Sequence, residues 1–170
     1  MSTLELKELS HPSGEVIKIA SGKTLDLNSQ GSVTMPTGSV IQVASVGYPS
    51  SSAITVSGSS TAVLMTITIT TKANSKVMMW FESGQIGGHV TDSNANIYFS
   101  VDGTAVDTGT QHYFYGAAMR PVINKIFLTT SALSAGSHTF TIIGAAYNGT
   151  ITYNYQGTQT GLFMIQEIAG

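Results

Sequence analysis

Apolar and polar residues follow a period of eight across residues 16–47, which can be written as four lines of equal length: VIKIASGK, TLDLNSQG, SVTMPTGS and VIQVASVG. Each line is apolar at its second and fourth positions, and polar or turn-forming residues occupy most of the others. This pattern predicts short, half-buried strands separated by turns. The positions expected to pack are Ile17, Ile19, Leu25, Leu27, Val33, Met35, Ile41 and Val43.

Strands this short cannot bury their apolar faces alone, so they must pack on the rest of the chain or on copies of it. The segment before them alternates at Leu4 and Leu6, continues to Leu9, and ends at the turn-forming residues 11–14. We therefore predict an N-terminal attachment arm over residues 1–47, containing four octad β-repeats. The alternative is that the octads are the first strands of one larger sandwich.

The rest of the chain, residues 48–170, carries strand signals throughout. Residues 64–71 (LMTITITT) alternate in polarity, and residues 77–81 (VMMWF) are apolar on both faces, as expected of a central strand. Asp102-Gly103 and Asn148-Gly149 each separate two strand-like runs, which predicts hairpins. A helical period is absent from the sequence. We predict an all-β fold in which this region is a jelly-roll β-sandwich head domain.

Charged residues make up 9% of the chain, against about 25% in an ordinary soluble domain. Residues 27–71 carry no formal charge at all. An uncharged surface is typical of interface cores, and the alternative is a Ser/Thr/Gly-rich β surface solvated by its hydroxyl groups. A net charge of −2 argues against nucleic-acid binding. No run approaches the ~20 apolar residues of a membrane span, so we expect no membrane insertion.

Two parts of the sequence resemble known virion proteins. The opening STLELKELSHPSG, with the later PTGSVIQV, resembles the amino-terminal modules of tail-fibre-like proteins of bacteriophages, particularly those of aquatic and cyanobacterial hosts. The segments LSAGSHTFTII and GLFMIQEI resemble the trimeric jelly-roll heads of the tumour-necrosis-factor and complement type that often cap phage fibres. Together these stretches cover about a third of the chain.

The resemblance implies a homotrimeric virion component whose arm binds other virion proteins, of the tail, an adaptor or the capsid. The jelly-roll head would then contact the host surface as a short fibre or spike. With only four repeats the shaft would be short, so a capsid decoration (cement) protein that stabilises the head lattice is an alternative. A carbohydrate-binding module is an alternative of another class.

The sequence lacks the patterns expected of an enzyme. Its histidines, His11, His89, His112 and His138, are far apart and form no metal-binding spacing. Cysteine, a Gly-x-Ser-x-Gly elbow and a phosphate loop are all missing. We expect neither catalytic activity nor a cofactor or metal site. His138 is expected at the start of a strand, where its ring packs or bonds the backbone.

Five tyrosines are the most informative functional candidates. Tyr113 and Tyr115 lie in QHYFYG, and Tyr147, Tyr153 and Tyr155 lie near Asn148-Gly149 on the second predicted hairpin. Aromatic rings with nearby amides are suited to holding sugars, and tyrosine is also enriched at protein interfaces. These residues are therefore predicted to contact either a host-surface glycan or the other chains of a trimer.

Overall fold

The computed structural model describes residues 21, 35–48, 53–88, 93–115, 120–155, 157 and 161–170. The chain divides into two compact units, Met1–Thr34 and Met35–Gly170. The arm is predicted over residues 1–47, and up to residue 34 only residue 21 of it is described, so that part stays a prediction. Its packing residues that lie outside the described part are Leu4, Leu6, Leu9, Ile17, Ile19, Leu25, Leu27 and Val33.

The described residues of the second unit form β-strands and no helix, which confirms the all-β prediction. No helix long and apolar enough to cross a bilayer occurs in the described part of the chain. The strands are β1 (Val40–Gly47), β2 (Ile54–Ser57), β3 (Thr61–Thr71), β4 (Lys76–Gln85), β5 (Gly87–Gly88), β6 (Ser93–Val101), β7 (Thr104–Ala105), β8 (Thr110–Phe114), β9 (Val122–Leu128), β10 (Gly136–Asn148), β11 (Thr150–Tyr153) and β12 (Leu162–Ile168).

Three antiparallel sheets contain these strands. Sheet A has the order β1-β12-β4-β9, sheet B has the order β3-β10-β6-β7 with β8 also paired to β6, and sheet C has the order β2-β11-β5. The eight strands of five or more residues, counted along the chain, run 1-8-3-6 in sheet A and 2-7-4-5 in sheet B. This is the interleaved strand order of a jelly roll, as predicted.

The core lies between sheets A and B. Alternation along each strand sends one set of side chains inward, where Phe99 of sheet B meets Phe127 and Phe163 of sheet A at ring-centroid distances of 6.0 and 6.2 Å. The residues predicted as a central strand, VMMWF, lie in β4 between β12 and β9. Asp102-Gly103 joins β6 to its partner β7 in a hairpin, as predicted. Asn148-Gly149 also turns the chain, but β11 pairs with β2 and β5 rather than with β10.

The fourth octad, VIQVASVG, forms β1 at the edge of sheet A and belongs to the second unit. The second compact unit therefore includes residues 35–47, which the octad pattern assigns to the arm. A register shift between Val40 and Gln42 also reverses part of the expected alternation. Val43 is consequently 56% exposed, whereas Ala44 and Val46 pack against the core. Of the other two predicted packing residues, Ile41 is half-buried and Met35 is exposed.

The bulge in β1 places Gln42 where it can bond a buried carboxylate. Its Nε2 donates to Glu167 Oε2 at 2.5 Å and to the Thr70 carbonyl oxygen at 2.8 Å. Oε1 of Glu167 accepts the Lys72 backbone N–H at 2.7 Å. Burial raises the pKa of Glu167, but the hydrogen bonds from Gln42 and Lys72 outweigh burial and lower the pKa overall. This network ties β1 and β12 to the end of β3.

Replacing Glu167 with glutamine should therefore reduce stability in a pH-dependent way. A carboxyl whose pKa is lower in the folded state stabilises the protein above its unfolded pKa, and the stabilisation is lost as pH falls through the folded pKa. At pH 7 we expect Glu167→Gln to lose about 1–3 kcal/mol in denaturant unfolding. The difference from wild type should shrink below about pH 4. Glu82→Gln controls for the loss of one negative charge, and a deficit that is constant with pH would contradict this account.

Two truncations should separate the two candidate domain boundaries. Removing residues 1–34 leaves β1 and the Gly38 N–H to Ala169 carbonyl bond (2.8 Å) in place. Removing residues 1–47 exposes the edge of β12 and leaves Glu167 without Gln42. We expect residues 48–170 to melt roughly 10 °C or more below residues 35–170 in circular dichroism. Equal melting temperatures of the two truncated proteins would show that the head domain begins at residue 48, as the sequence predicts.

Candidate functional site

The outer face of sheet B is polar and aromatic. In β6, Ala95, Ile97 and Phe99 enter the core, so the alternate residues Asn94, Asn96, Tyr98 and Ser100 face outward. Strand pairing places Gln111 and Tyr113 of β8 on one side of Asn96 and Asn94, and Ile143 and Ala145 of β10 on the other side of Tyr98 and Asn96. None of these outward-facing residues is charged. The face is therefore suited to neutral polar partners.

A groove of about 280 Å³ runs across this face. Asn96, Tyr98 and Ala145 of sheet B line it, together with the Ser59–Ser60 turn and the segment around Thr108. Tyr147 also lines the groove and is 52% exposed, because alternation along β10 places it on the same outward side as Ile143 and Ala145. Asn96 Nδ2 donates to the Tyr147 hydroxyl oxygen at 3.3 Å. The Tyr147 ring is thus held at the edge of the groove with its own O–H free to donate.

Several buried polar atoms on this face have no hydrogen-bond partner within the described part of the chain. They are Asn94 Oδ1, Asn96 Oδ1 and Ser100 Oγ, all on the outward side of β6. A buried polar group without a partner costs about 1–3 kcal/mol, so such groups normally meet a water or a ligand. Two of the three atoms are amide oxygens that only accept.

The carboxylate beside the groove is neutralised from the opposite sheet. Asp107 Oδ2 lies 2.5 Å from Lys125 Nζ of β9, and both side chains are nearly buried. Lys125 Nζ also donates to the Ile97 carbonyl oxygen at 2.8 Å. Asp107 Oδ1 accepts the N–H groups of Phe99 and Gly109 at 3.1 and 3.3 Å. The pair holds the segment after β7 against β6 and leaves the groove without net charge.

The outer face of sheet A is apolar instead. Strand pairing places Trp80 between Met164 and Ile126, and Met78 between Gln166 and Leu128. Ile126 is 67% exposed. Lys76 and Glu82 stand at the two ends of the same face of β4. We call this surface the apolar face and define it by Val43, Met78, Trp80, Ile126, Leu128, Leu162 and Met164.

The structure places the five predicted tyrosines in different environments. Tyr113 and Tyr147 are exposed on the sheet B side, and Tyr115 is exposed just after β8. Tyr155 is half-buried, with the guanidinium carbon of Arg120 3.8 Å from its ring centroid. Only Tyr147 lines the groove. The predicted single cluster is therefore dispersed.

The surface role predicted for Tyr153 is wrong, because its side chain is fully buried in the core. Its hydroxyl oxygen lies 2.8 Å from the Ala145 carbonyl oxygen and 3.1 Å from that of Asn96. Burial raises the pKa of Tyr153, so the hydroxyl remains a neutral donor. Tyr153 therefore braces the backbone beneath the groove and touches neither a receptor nor another chain.

Sequence reasoning missed a cluster at the start of β10. His138 Nδ1 lies 2.6 Å from Asp102 Oδ2, and Nε2 lies 3.1 Å from the Ser134 carbonyl oxygen. The hydrogen bond to Asp102 is the main cause that raises the pKa of His138. The Ser134 hydroxyl lies 3.3 Å from Nε2, which gives the chain a Ser-His-Asp arrangement. No pattern in the sequence signals it, because strand register brings residues 102 and 138 together.

This arrangement clamps two turns, because the protonated ring can donate from both nitrogens to oxygen atoms of Asp102 and Ser134. The contact with the Ser134 carbonyl fits the expectation that His138 bonds the backbone at a strand start. Among the described residues, no three His, Asp or Glu side chains are grouped to hold a metal ion.

No family model matches the chain, and none of the curated proteins matches it. Among solved structures, that of infectious bursal disease virus (Gx strain) has a TM-score of 0.43 and 13% identity, over 86% of this chain and 40% of that one. The EclA C-terminal domain, a sugar-binding protein, has a TM-score of 0.34 and 10% identity, over 92% and 89%. A family 35 carbohydrate-binding module from Clostridium thermocellum has a TM-score of 0.33 and 12% identity, over 70% and 97%. This chain thus spans less than half of the viral protein.

Replacing His138 with glutamine should remove a pH-dependent part of stability. A histidine whose pKa is raised by folding stabilises the protein fully below its unfolded pKa, and the stabilisation is lost as pH rises through the folded value. The wild-type advantage in melting temperature should therefore be largest below about pH 6 and should vanish toward pH 9. Asp102→Asn should remove the same advantage. An unchanged gap across this range, or a ring that titrates by NMR below its usual 6.5, would contradict the clamp.

Proposed function

We propose that this protein is a structural virion component of a bacteriophage that assembles as a homotrimer through the apolar face. Its jelly-roll head would contact the host surface, and its N-terminal segment would attach to other virion proteins. The proposal rests on the exposed apolar face of sheet A. The resemblance of the segments STLELKELSHPSG and LSAGSHTFTII to phage fibre and trimeric head proteins supports it.

The apolar face has the properties of a protein interface. Val43 and Ile126 stand on opposite edge strands of sheet A and are both more than half exposed, with Trp80 and Met164 between them. Large apolar patches rimmed by polar groups mark interaction sites, and aromatic residues and methionine are enriched in them. Lys76 and Glu82 stand at the rim rather than at the centre.

Copies of the same chain are the occupant that we propose for this face. A closed threefold arrangement would give every head the same covered surface, and symmetric homo-oligomers are the usual way in which such surfaces are buried. The opposite, polar face of sheet B would then stay outside. The contacts of His138 with Asp102 and the Ser134 carbonyl oxygen join two turns of the fold, which supports a structural role for this cluster.

A trimer suits both a short fibre and a capsid decoration protein, and we favour the fibre because the opening of the sequence resembles fibre modules. Labelling intact particles with an antibody against the head should mark the tail. Labelling spread over the capsid lattice would instead favour the decoration role.

A single charge on the apolar face should break the trimer. Multi-angle light scattering of the full chain should give three times 17.8 kDa, and Ile126→Asp should give one times that mass at micromolar concentration. A buried unpaired carboxylate costs several kcal/mol in each subunit. Val63→Asp is the matched control, because Val63 is similarly exposed (58%) but lies on sheet B. A monomeric wild type, or a trimeric Ile126→Asp protein, would overturn the proposal.

A further inference from the structure

We propose that the groove on sheet B binds a neutral saccharide of one or two sugar units, and that Tyr147, positioned by Asn96, is its main contact. This inference rests on the proposed contact of the head with a host surface and assigns that contact a place and a ligand class. The groove lies on sheet B, and the apolar face lies on sheet A, at the opposite side of the sandwich. Trimer formation would therefore leave the groove accessible.

The groove offers the groups that a sugar ring requires. The half-exposed Tyr147 ring gives an aromatic surface for the apolar C–H face of a pyranose, and Tyr98 adds a second ring. Ser59, Ser60 and Thr108 add hydroxyl groups that donate and accept. Vicinal hydroxyls of a sugar need this mixture of donors and acceptors within a short distance.

Asn96 is the residue that positions Tyr147 for a ligand. It lines the groove and is only 3% exposed, and its Oδ1 has no hydrogen-bond partner. Its Nδ2 is already used to hold the Tyr147 hydroxyl. Because Oδ1 has almost no accessible surface and the amide packs beneath Gly109, Asn96 acts by holding the Tyr147 hydroxyl and not by bonding the sugar itself. The oxygen of the Tyr147 hydroxyl accepts from Asn96, and its O–H remains available to donate to a bound sugar.

Size and charge narrow the ligand class. A volume of about 280 Å³ lies just below the roughly 300–1,000 Å³ range of small-molecule sites, which suits one or two sugar rings. No lysine or arginine lines the groove in the described part of the chain, and Asp107 is already paired with Lys125. Sugars that carry a carboxylate or sulfate would find no cation there. The ligand is therefore a neutral hexose or N-acetylhexosamine.

The test uses the full chain on an array of neutral, sialylated and sulfated glycans. Wild type should bind a subset of the neutral glycans only. Tyr147→Ala should weaken that binding at least tenfold, because it removes both the ring and its hydroxyl. Tyr147→Phe should weaken it less, because the ring remains. Tyr115→Ala is the matched control, since Tyr115 is even more exposed but lies outside the groove, and it should bind like wild type.

NMR titration with N-acetylglucosamine, galactose, glucose and mannose locates the site independently of multivalency. The backbone amides of Asn96 and Tyr147 should shift in the presence of at least one of the sugars that the array identifies. No binding to any neutral glycan, binding restricted to acidic glycans, or binding unchanged by Tyr147→Ala would overturn the inference.

Failure of this inference can be distinguished from failure of the trimer. Light scattering of Tyr147→Ala should still give a trimer, because Tyr147 is remote from the apolar face. The Ile126→Asp protein should keep the single-site affinity in the NMR titration while it loses avidity on the array. A trimer that binds no sugar would overturn only the proposed saccharide site. A monomer that binds sugar would overturn only the proposed trimer.

Discussion

The packing of Phe99 against Phe127 and Phe163 fixes which way β6 faces, and the rest of the structure depends on that orientation. The rings meet across the sandwich at 6.0 and 6.2 Å between centroids. A shift by one residue would turn Phe99 to solvent and bring Asn96 into the core. Because β6 pairs with both β8 and β10, the same choice sets the outward direction of their side chains too. A core contact therefore determines what the groove presents to solvent.

Alternation along β9 links the two functional faces. Ile126 turns outward to the apolar face, so its neighbour Lys125 turns inward and reaches Asp107 beside the groove. Lys125 Nζ also lies 5.5 Å from the Phe99 ring centroid, which adds a cation–π contact to the ion pair. A buried ion pair seldom adds much net stability, since desolvation offsets the attraction between the charges. Its role here is to fix the loop at the groove and remove its charge.

Local patterns in the sequence predict the strands and turns, since alternation and turn residues act over a few positions. The apolar run of β4 and the Asp102-Gly103 hairpin both follow from such patterns. Strand register depends on partners far along the chain, and the patterns do not contain it. The octad that became β1 is regular, yet a bulge exposes Val43. Tyr147 and Tyr153 look equivalent in sequence, but Tyr147 lies on the outward side of β10, whereas Tyr153 lies on β11, which pairs with β2 and β5, and enters the core.

The scarcity of charge explains why the two faces differ so much. Glu167, Asp107, Lys125 and Asp102 are each held by hydrogen bonds or ion pairs within the fold, so they contribute little to the chemistry of either broad face. Sheet A then presents apolar side chains, and sheet B presents hydroxyls, amides and tyrosines. Water solvates the second kind of surface but not the first. Burying the apolar face in an assembly would therefore leave an uncharged, hydrogen-bonding surface as the part that meets other molecules, which is why a neutral polar ligand suits it better than an ionic one.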